Sequence, residues 1–173
     1  MTRLILIIAS VHRISTGLWF DNEAEEAARF YTSIFKNSSI GRVTRYGKEG
    51  FEFHHKPEGS VMTVEFTLDG SSFVALNSGP VFHFSEAISF IINCANQEEV
   101  DYFWEKLTDG GDPASQQYGW LKDKFGISWQ VVPGEMIDLL TDPDTKKAQK
   151  VMAAMLQMKK IDLATLKLTS IQG

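Results

Sequence analysis

The stretch Glu25-Glu26-Ala27-Ala28-Arg29-Phe30-Tyr31 returns 73 residues later as Glu98-Glu99-Val100-Asp101-Tyr102-Phe103-Trp104. Both copies carry two acidic residues followed, at the same spacing, by an aromatic pair. An apolar, strand-like run precedes each copy, at residues 18–20 and 88–92. Because a strand followed by a helix is used twice at a fixed offset, the sequence predicts two similar half-domains, with any site between them.

The first copy predicts the order β-α-β-β-β. A strand over 14–20 leads into a helix from about Glu23 to Phe35, which Asp21 or Asn22 can cap. Strands are expected at 40–46, 61–68 and 72–76, and a turn signal at Asp69-Gly70 separates the last two. The buried stripe of the helix falls at helical spacing: Ala27, Phe30, Tyr31 and Ile34.

The second copy predicts the same order. It opens with a strand at 87–93 and a helix at 97–107, followed by short strands near 115–118, 120–122 and 127–132. Two C-terminal helices are expected, one capped by Asp142 with Pro143 at its first position and a shorter one capped by Asp162. Their Met-rich stripe is expected to pack against the sheet or a partner subunit. The fold class is therefore α+β, with four segments: an extension or extra strand at 1–13, modules at 14–80 and 81–135, and a helical segment at 136–173.

Composition limits the classes of partner. The chain has 173 residues, 43% of them apolar and 23% charged, as in a globular domain. A net charge of −5 without a basic block argues against binding to nucleic acid or an anionic membrane surface. The apolar run Leu4–Ala9 is too short to cross a bilayer. The lone Cys94 excludes an internal disulfide and fits a reducing cytoplasm, where we expect the protein to reside.

Longer blocks carry a resemblance to a known family. The chain resembles the glyoxalase/bleomycin-resistance/dioxygenase (vicinal oxygen chelate) superfamily, and within it the PhnB-like group labelled 3-demethylubiquinone-9 3-methyltransferase. The resemblance implies two half-barrels that enclose a cleft, and pairing into a homodimer. The matching blocks cover most of the chain from residue 14 onward: 18–31, 61–66, 73–77, 87–90 and 119–130.

The resemblance also implies where a metal would be held. Thr16 stands at the position of the first ligand and Ser89 at its counterpart in the second half. The last ligand, normally a Glu four residues after the turn glycine, is Gln130 here. Neutral hydroxyls and an amide bring no charge to offset the dehydration of a divalent ion, so no metal and no other cofactor is predicted. The end of the first half offers Phe73, Ala75 or Asn77.

Other titratable residues are weaker candidates. His54 and His55 are expected in a polar loop, His12 at the surface, and His83 in the linker, from which it could reach the cleft mouth. Glu65 lies on the mixed face of its predicted strand, where it could act as a general acid or base or be exposed on the outer face. The expected cleft lining is Thr16, Glu65, Asn77, Ser89, Trp120 and Gln130.

Three functions follow as hypotheses. The first is a metal-free cleft for a small, partly aromatic or apolar ligand, with or without catalysis. The second is a sequestering protein like the bleomycin-resistance members, which captures a ligand and does no chemistry. The third is the methyl transfer of the family label, which the sequence disfavours because no Gly-rich nucleotide-binding turn follows its first strand.

Overall fold

The computed structural model describes residues 14–171, so the predicted extension or strand over 1–13 lies outside them. The chain divides into two compact units, Met1–Phe82 and His83–Gly173. Each unit has one small sheet, of four strands in the first and three in the second, and the C-terminal helices belong to the second. The predicted α+β class is confirmed.

The first unit follows the predicted order closely. Its sheet has the strand order β1-β4-β3-β2, in which β1 and β4 are parallel and the other neighbours are antiparallel. A one-turn helix, α2, stands where the sequence predicted a loop with His54 and His55. The elements are β1 (Thr16–Phe20), α1 (Ala24–Ile34), β2 (Ser39–Arg45), α2 (Phe51–His54), β3 (Val61–Leu68) and β4 (Ser71–Asn77).

Helix α1 covers one face of this sheet. Its small residues Ala27 and Ala28 are fully buried, which lets the helix approach the strands closely. The fully buried ring of Tyr31 stacks on Phe66 of β3, with ring centroids 6.4 Å apart. The aromatic residue that the repeat singled out therefore packs in the core of the first unit.

The predicted caps Asp21 and Asn22 are wrong. The helix begins one residue later, at Ala24, and its free backbone N–H donates to Oδ1 of Asn77 at 2.8 Å. Asn77 is 53 positions away in sequence, so local spacing could not reveal it. The oxygens of Asp21 and Asn22 instead accept hydrogen bonds from Lys56 Nζ, at 3.2 and 2.8 Å respectively.

The second unit has one strand fewer than predicted. Asp112 caps a 3-10 turn at Pro113–Ser115, and only an isolated bridge between Gln117 and Trp120 follows, so the strand expected at 115–118 does not form. A proline at the start of the segment favours this turn. The strand order is β5-β7-β6, with β5 and β7 parallel. The elements are β5 (Phe90–Cys94), α3 (Gln97–Thr108), β6 (Trp120–Lys122) and β7 (Ser128–Pro133).

Three C-terminal helices complete the second unit. They are α4 (Glu135–Leu140), α5 (Thr145–Met155) and α6 (Leu163–Ile171). The N-cap of α5 is Asp144 and not Asp142, whereas Asp162 caps α6 as predicted, accepting from the N–H of Thr165 at 2.8 Å. Their buried side chains form one cluster with the end of β7: Val132, Met136, Val151, Ile161 and Leu166.

Part of the Met-rich stripe joins this cluster. Met155 and Met158 pack against it, while Met152 and Leu156 remain exposed. No helix within residues 14–171 is long and apolar enough to cross a membrane.

Candidate functional site

Three predicted site residues meet on one face of the second sheet. Gln130 of β7 is half-buried between the buried Trp129 and Val131, so its side chain lies on the opposite face from theirs. Its Nε2 donates to the Ser89 hydroxyl at 2.8 Å. Trp120 of β6 is the direct cross-strand partner of Gln130 and shares its face. The structure thus brings Ser89, Trp120 and Gln130 together, although they are up to 41 residues apart.

An open cavity of about 500 Å³ lies at the same strands. Trp120, Lys122 and Ser128 line it from β6 and β7, and Tyr118 and Glu86 line it from the preceding loops. All of these residues belong to the second unit, so the cavity is formed within that unit. The volume is within the range that small-molecule sites require.

Ser128 is the most unusual polar residue of this cavity. It is only 2% exposed, and its hydroxyl has no hydrogen-bond partner among the residues that the structure describes. A buried hydroxyl without a partner costs about 1–3 kcal/mol. Because Ser128 also lines the cavity, a bound molecule is a candidate for the missing partner of this hydroxyl.

An ion pair lines the same cavity. Lys122 Nζ contacts the carboxylate of Glu86, whose pKa is lowered mainly by the hydrogen bond from Lys122. Glu86 precedes β5 and its side chain is 65% exposed, whereas that of Lys122 is only 25% exposed. The ammonium is thus partly sheltered while its partner remains in solvent.

The residue that holds the β6–β7 turn was not among the predicted site residues. Asp123 is 3% exposed, and its Oδ1 accepts from the N–H groups of Phe125 and Ile127 at 2.9 and 3.0 Å. Its Oδ2 accepts from Trp129 Nε1 at 2.8 Å. The sequence does carry a signal for this role, because Asp123 stands three residues before the turn glycine Gly126. An aspartate at such a position typically accepts hydrogen bonds from the backbone of the turn. This carboxylate fixes the geometry of the strands that bear the site.

The loop before β6 is held by the C-terminal helical segment. The N–H groups of Tyr118 and Gly119 donate to the carbonyls of Met158 and Lys159, both at 2.7 Å. Tyr118 and Gly119 have φ angles of 40° and 87°. A Cβ at Gly119 would lie 3.0 Å from the carbonyl oxygen of Val131, so this position requires glycine. The C-terminal segment therefore fixes one wall of the cavity.

The predicted residues of the first unit do not share one face. Glu65 pairs with Val74, and both side chains lie on the sheet face away from α1. Thr16 pairs with the buried Phe73, so its side chain lies on the opposite face, which α1 covers. Asn77 is 5% exposed; besides accepting from Ala24, it donates from Nδ2 to the Val61 carbonyl at 3.1 Å. Its amide thus has a structural role, and Thr16 and Asn77 are not brought beside Glu65.

Neither unit gathers charged metal ligands in residues 14–171. No group of three or more His, Cys, Asp or Glu side chains within this range is placed to hold an ion. The Nδ1 atom of His54 accepts from the N–H of Lys56 at 2.9 Å, and its ring lies 4.4 Å from that of Tyr46. These contacts give His54 a structural role in the first unit.

Comparison with known proteins identifies the family. The sequence model of the 3-demethylubiquinone-9 3-methyltransferase family matches residues 12–132. A solved PhnB protein from Bacillus cereus, a presumed 3-demethylubiquinone-9 3-methyltransferase, is 37% identical with a TM-score of 0.60, over 70% of this chain and 99% of that one. Protein PA1353 from Pseudomonas aeruginosa, 18% identical with a TM-score of 0.53 over 70% and 96% of the two chains, supports the fold alone. No curated protein matches the chain. The chain therefore belongs to the PhnB-like, 3-demethylubiquinone-9 3-methyltransferase domain family.

Proposed function

We propose that this protein binds a small organic molecule on the open face of its second sheet, in the cavity beside Trp120. The observation that carries the proposal is the meeting of Ser89, Trp120 and Gln130 next to a cavity whose buried Ser128 hydroxyl lacks a partner. The Ser89–Gln130 pair presents an oriented amide and hydroxyl that can hold a carbonyl or hydroxyl group. The indole of Trp120 supplies apolar contact.

We further propose that binding needs no divalent metal held by the protein. The side chains at the positions where metal-dependent relatives would place ligands, Ser89 and Gln130, are neutral and already bonded to each other. Neutral donors without a carboxylate or imidazole are a poor match for a divalent ion. Titrating Mg²⁺ and Zn²⁺ by calorimetry tests this, and stoichiometric binding that Gln130→Ala abolishes would contradict it.

A fragment titration followed by amide NMR tests the binding site. We expect fragments with an aromatic ring and a carbonyl group to shift the amide signals of Ser89, Trp120 and Ser128. The double variant Ser89→Ala/Gln130→Ala should weaken the best fragment about tenfold, since two hydrogen bonds are lost. Asn93→Ala, an exposed change on β5, is the matched control. Unchanged affinity in the double variant would remove this site.

Whether binding leads to chemistry is a separate question. Glu65, which lies in the first unit, remains our proposed general acid or base, and Glu65→Gln in turnover assays tests that role independently of the cavity. Turnover of a bound ligand would favour an enzyme, whereas tight binding without turnover would favour a sequestering protein. Calorimetry with S-adenosylmethionine tests the methyl transfer named for the Bacillus cereus relative.

We propose a homodimer in the cytoplasm as the working form. The family resemblance supports the dimer and the lone, buried Cys94 supports a reducing compartment. Light scattering should then give about twice the chain mass of 19.5 kDa. A mass of one chain over the whole concentration range would contradict the dimer.

A further inference from the structure

Two hydrogen-bond donors stand side by side on the wall of the second-unit cavity. Lys122 of β6 and Ser128 of β7 are direct cross-strand partners, so their side chains leave the sheet on the same face. Residues paired in this way have Cβ atoms about 4.5–5.5 Å apart. Both line the cavity. An ammonium on a flexible lysine side chain and a hydroxyl on the neighbouring strand, both leaving the same face, can bind the two oxygens of one planar anion.

The surroundings show which of the two donors is occupied. The Ser128 hydroxyl is buried with no partner among the described residues, and the Lys122 ammonium contacts the exposed carboxylate of Glu86. Exposed ion pairs contribute little to stability, so a ligand can displace Glu86 at little cost. The carboxylate of Glu86 thus already pairs with the ammonium of Lys122. Within residues 14–171, no carboxylate accepts a hydrogen bond from the Ser128 hydroxyl.

We propose that the cavity recognises a small aromatic carboxylate, whose carboxylate replaces Glu86 on Lys122 and accepts a hydrogen bond from Ser128. This proposal rests on the proposed function and names its ligand class. The ring of the ligand lies against Trp120 and Tyr118, which line the same cavity. The ligand satisfies the one buried hydroxyl that lacks a partner within residues 14–171.

The charges around the cavity favour a ligand that carries a single negative charge. Besides Lys122, its lining includes the carboxylates of Glu86 and Asp112, and Asp112 is held by the N–H of Ala114 at 2.9 Å. A monoanion that exchanges for Glu86 restores one neutral ion pair. A dianionic phosphate would add a charge that the single ammonium cannot balance against two neighbouring carboxylates.

Benzoate and its neutral isostere benzamide are the probes, measured by Trp fluorescence and amide NMR on the full chain. We expect benzoate to bind at least about tenfold more tightly than benzamide, because a hydrogen bond to a charged group is the stronger one. Lys122→Gln should remove that preference and Ser128→Ala should weaken benzoate about fivefold or more. Glu86→Gln should tighten benzoate several-fold, because the internal competitor is gone. Lys146→Gln, an exposed lysine on α5, is the charge-matched control.

The outcomes separate this proposal from the function on which it rests. Equal affinity for benzoate and benzamide, no measurable benzoate binding, or unchanged benzoate binding in Lys122→Gln would overturn the carboxylate assignment. Neutral fragments that still shift Ser89 and Trp120 would then leave the proposed function standing. Weaker benzoate binding in Glu86→Gln would also overturn it, since this exposed change removes the competitor without touching the core.

Discussion

At the residue scale, a buried amide and a buried thiol show how single side chains constrain the fold. Asn77 caps helix α1 from a distant strand, and its backbone carbonyl accepts from the Tyr46 hydroxyl at 2.5 Å. Sequence analysis gave Asn77 a ligand-binding role because the family resemblance pointed to the end of the first half. The structure shows that both ends of its amide are bonded to backbone groups within the first unit.

Asn77→Ala should therefore lower stability before it alters any binding. The variant leaves the N–H of Ala24 and the carbonyl of Val61 without their partner, and we expect a loss of about 2–3 kcal/mol in the free energy of unfolding. Urea unfolding followed by circular dichroism measures it. Asn93→Ala, on an exposed strand position, should change stability by less than about 0.5 kcal/mol. A stable Asn77→Ala variant with weakened fragment binding would favour the ligand role instead.

Cys94 gives a pH-dependent prediction. Burial, reinforced by the charge of Glu99, raises the pKa of its thiol from 9.0 to about 12. Because the folded state disfavours the thiolate, this contribution to stability is fully present below pH 9 and is lost as the pH rises towards 12.

Relative to Cys94→Ala, the wild-type protein should thus lose stability above pH 9, by up to about 1.4 kcal/mol per pH unit. Urea unfolding of both proteins at about pH 8, 10 and 11 measures the difference, in which the titration of shared groups cancels. A constant difference across this range would show that the thiol titrates normally. The native thiol should also react slowly with iodoacetamide near pH 8, since little thiolate is present.

At the element scale, the turn between β6 and β7 controls the strands of the candidate site. Asp123→Ala removes three acceptor contacts, to Phe125, Ile127 and Trp129, from a buried carboxylate. We expect a loss of about 2–4 kcal/mol and a shift in Trp fluorescence, because the Trp129 indole N–H loses its partner. Asp138→Asn, on the exposed side of α4, should leave the stability and the Trp fluorescence nearly unchanged. A folded Asp123→Ala variant of wild-type stability would show that the backbone alone sets the turn.

The elements also show what periodicity can and cannot predict. The repeat located α1 and α3 because both bury a stripe at helical spacing, alternation located β3, and the turn signal at Asp69-Gly70 located β4. It failed at 115–118, where Pro113 and Asp112 favour a 3-10 turn over a strand. The predicted start of α5 was wrong because two aspartates could cap it. Asp142 has the right chemistry, but Asp144 accepts from the N–H groups of Lys146 and Lys147. Local sequence cannot rank two such caps.

At the scale of the whole molecule, the candidate site was predicted in part. Ser89, Trp120 and Gln130 could be named from the family resemblance because the strands that carry them follow the family pattern. Lys122, Ser128 and Glu86 could not, since a cavity wall and a missing hydrogen-bond partner are visible only when distant backbone segments come together. Thr16 lies on the α1-facing side of its sheet, and the side on which a strand residue lies depends on a register that a one-residue shift reverses.

The C-terminal helices should stabilise the cavity wall from a distance. Leu166→Ala removes a fully buried side chain from the helical cluster and should cost about 2–4 kcal/mol. Leu168, which is 58% exposed, provides the matched control. Hydrogen exchange of the Tyr118 and Gly119 amides should accelerate in Leu166→Ala and not in Leu168→Ala. Destabilisation without faster exchange at these two amides would separate the helices from the cavity wall.

The two amides that bond to Met158 and Lys159 have an evolutionary consequence. The family match ends at residue 132, so the acceptors of these bonds lie in a part of the chain that the family pattern does not describe. Lengthening, shortening or repacking this appendage would reshape the pocket while every strand residue stayed the same. Evolutionary change in this appendage should therefore alter which molecules the proposed cavity accepts, even where the strands are unchanged.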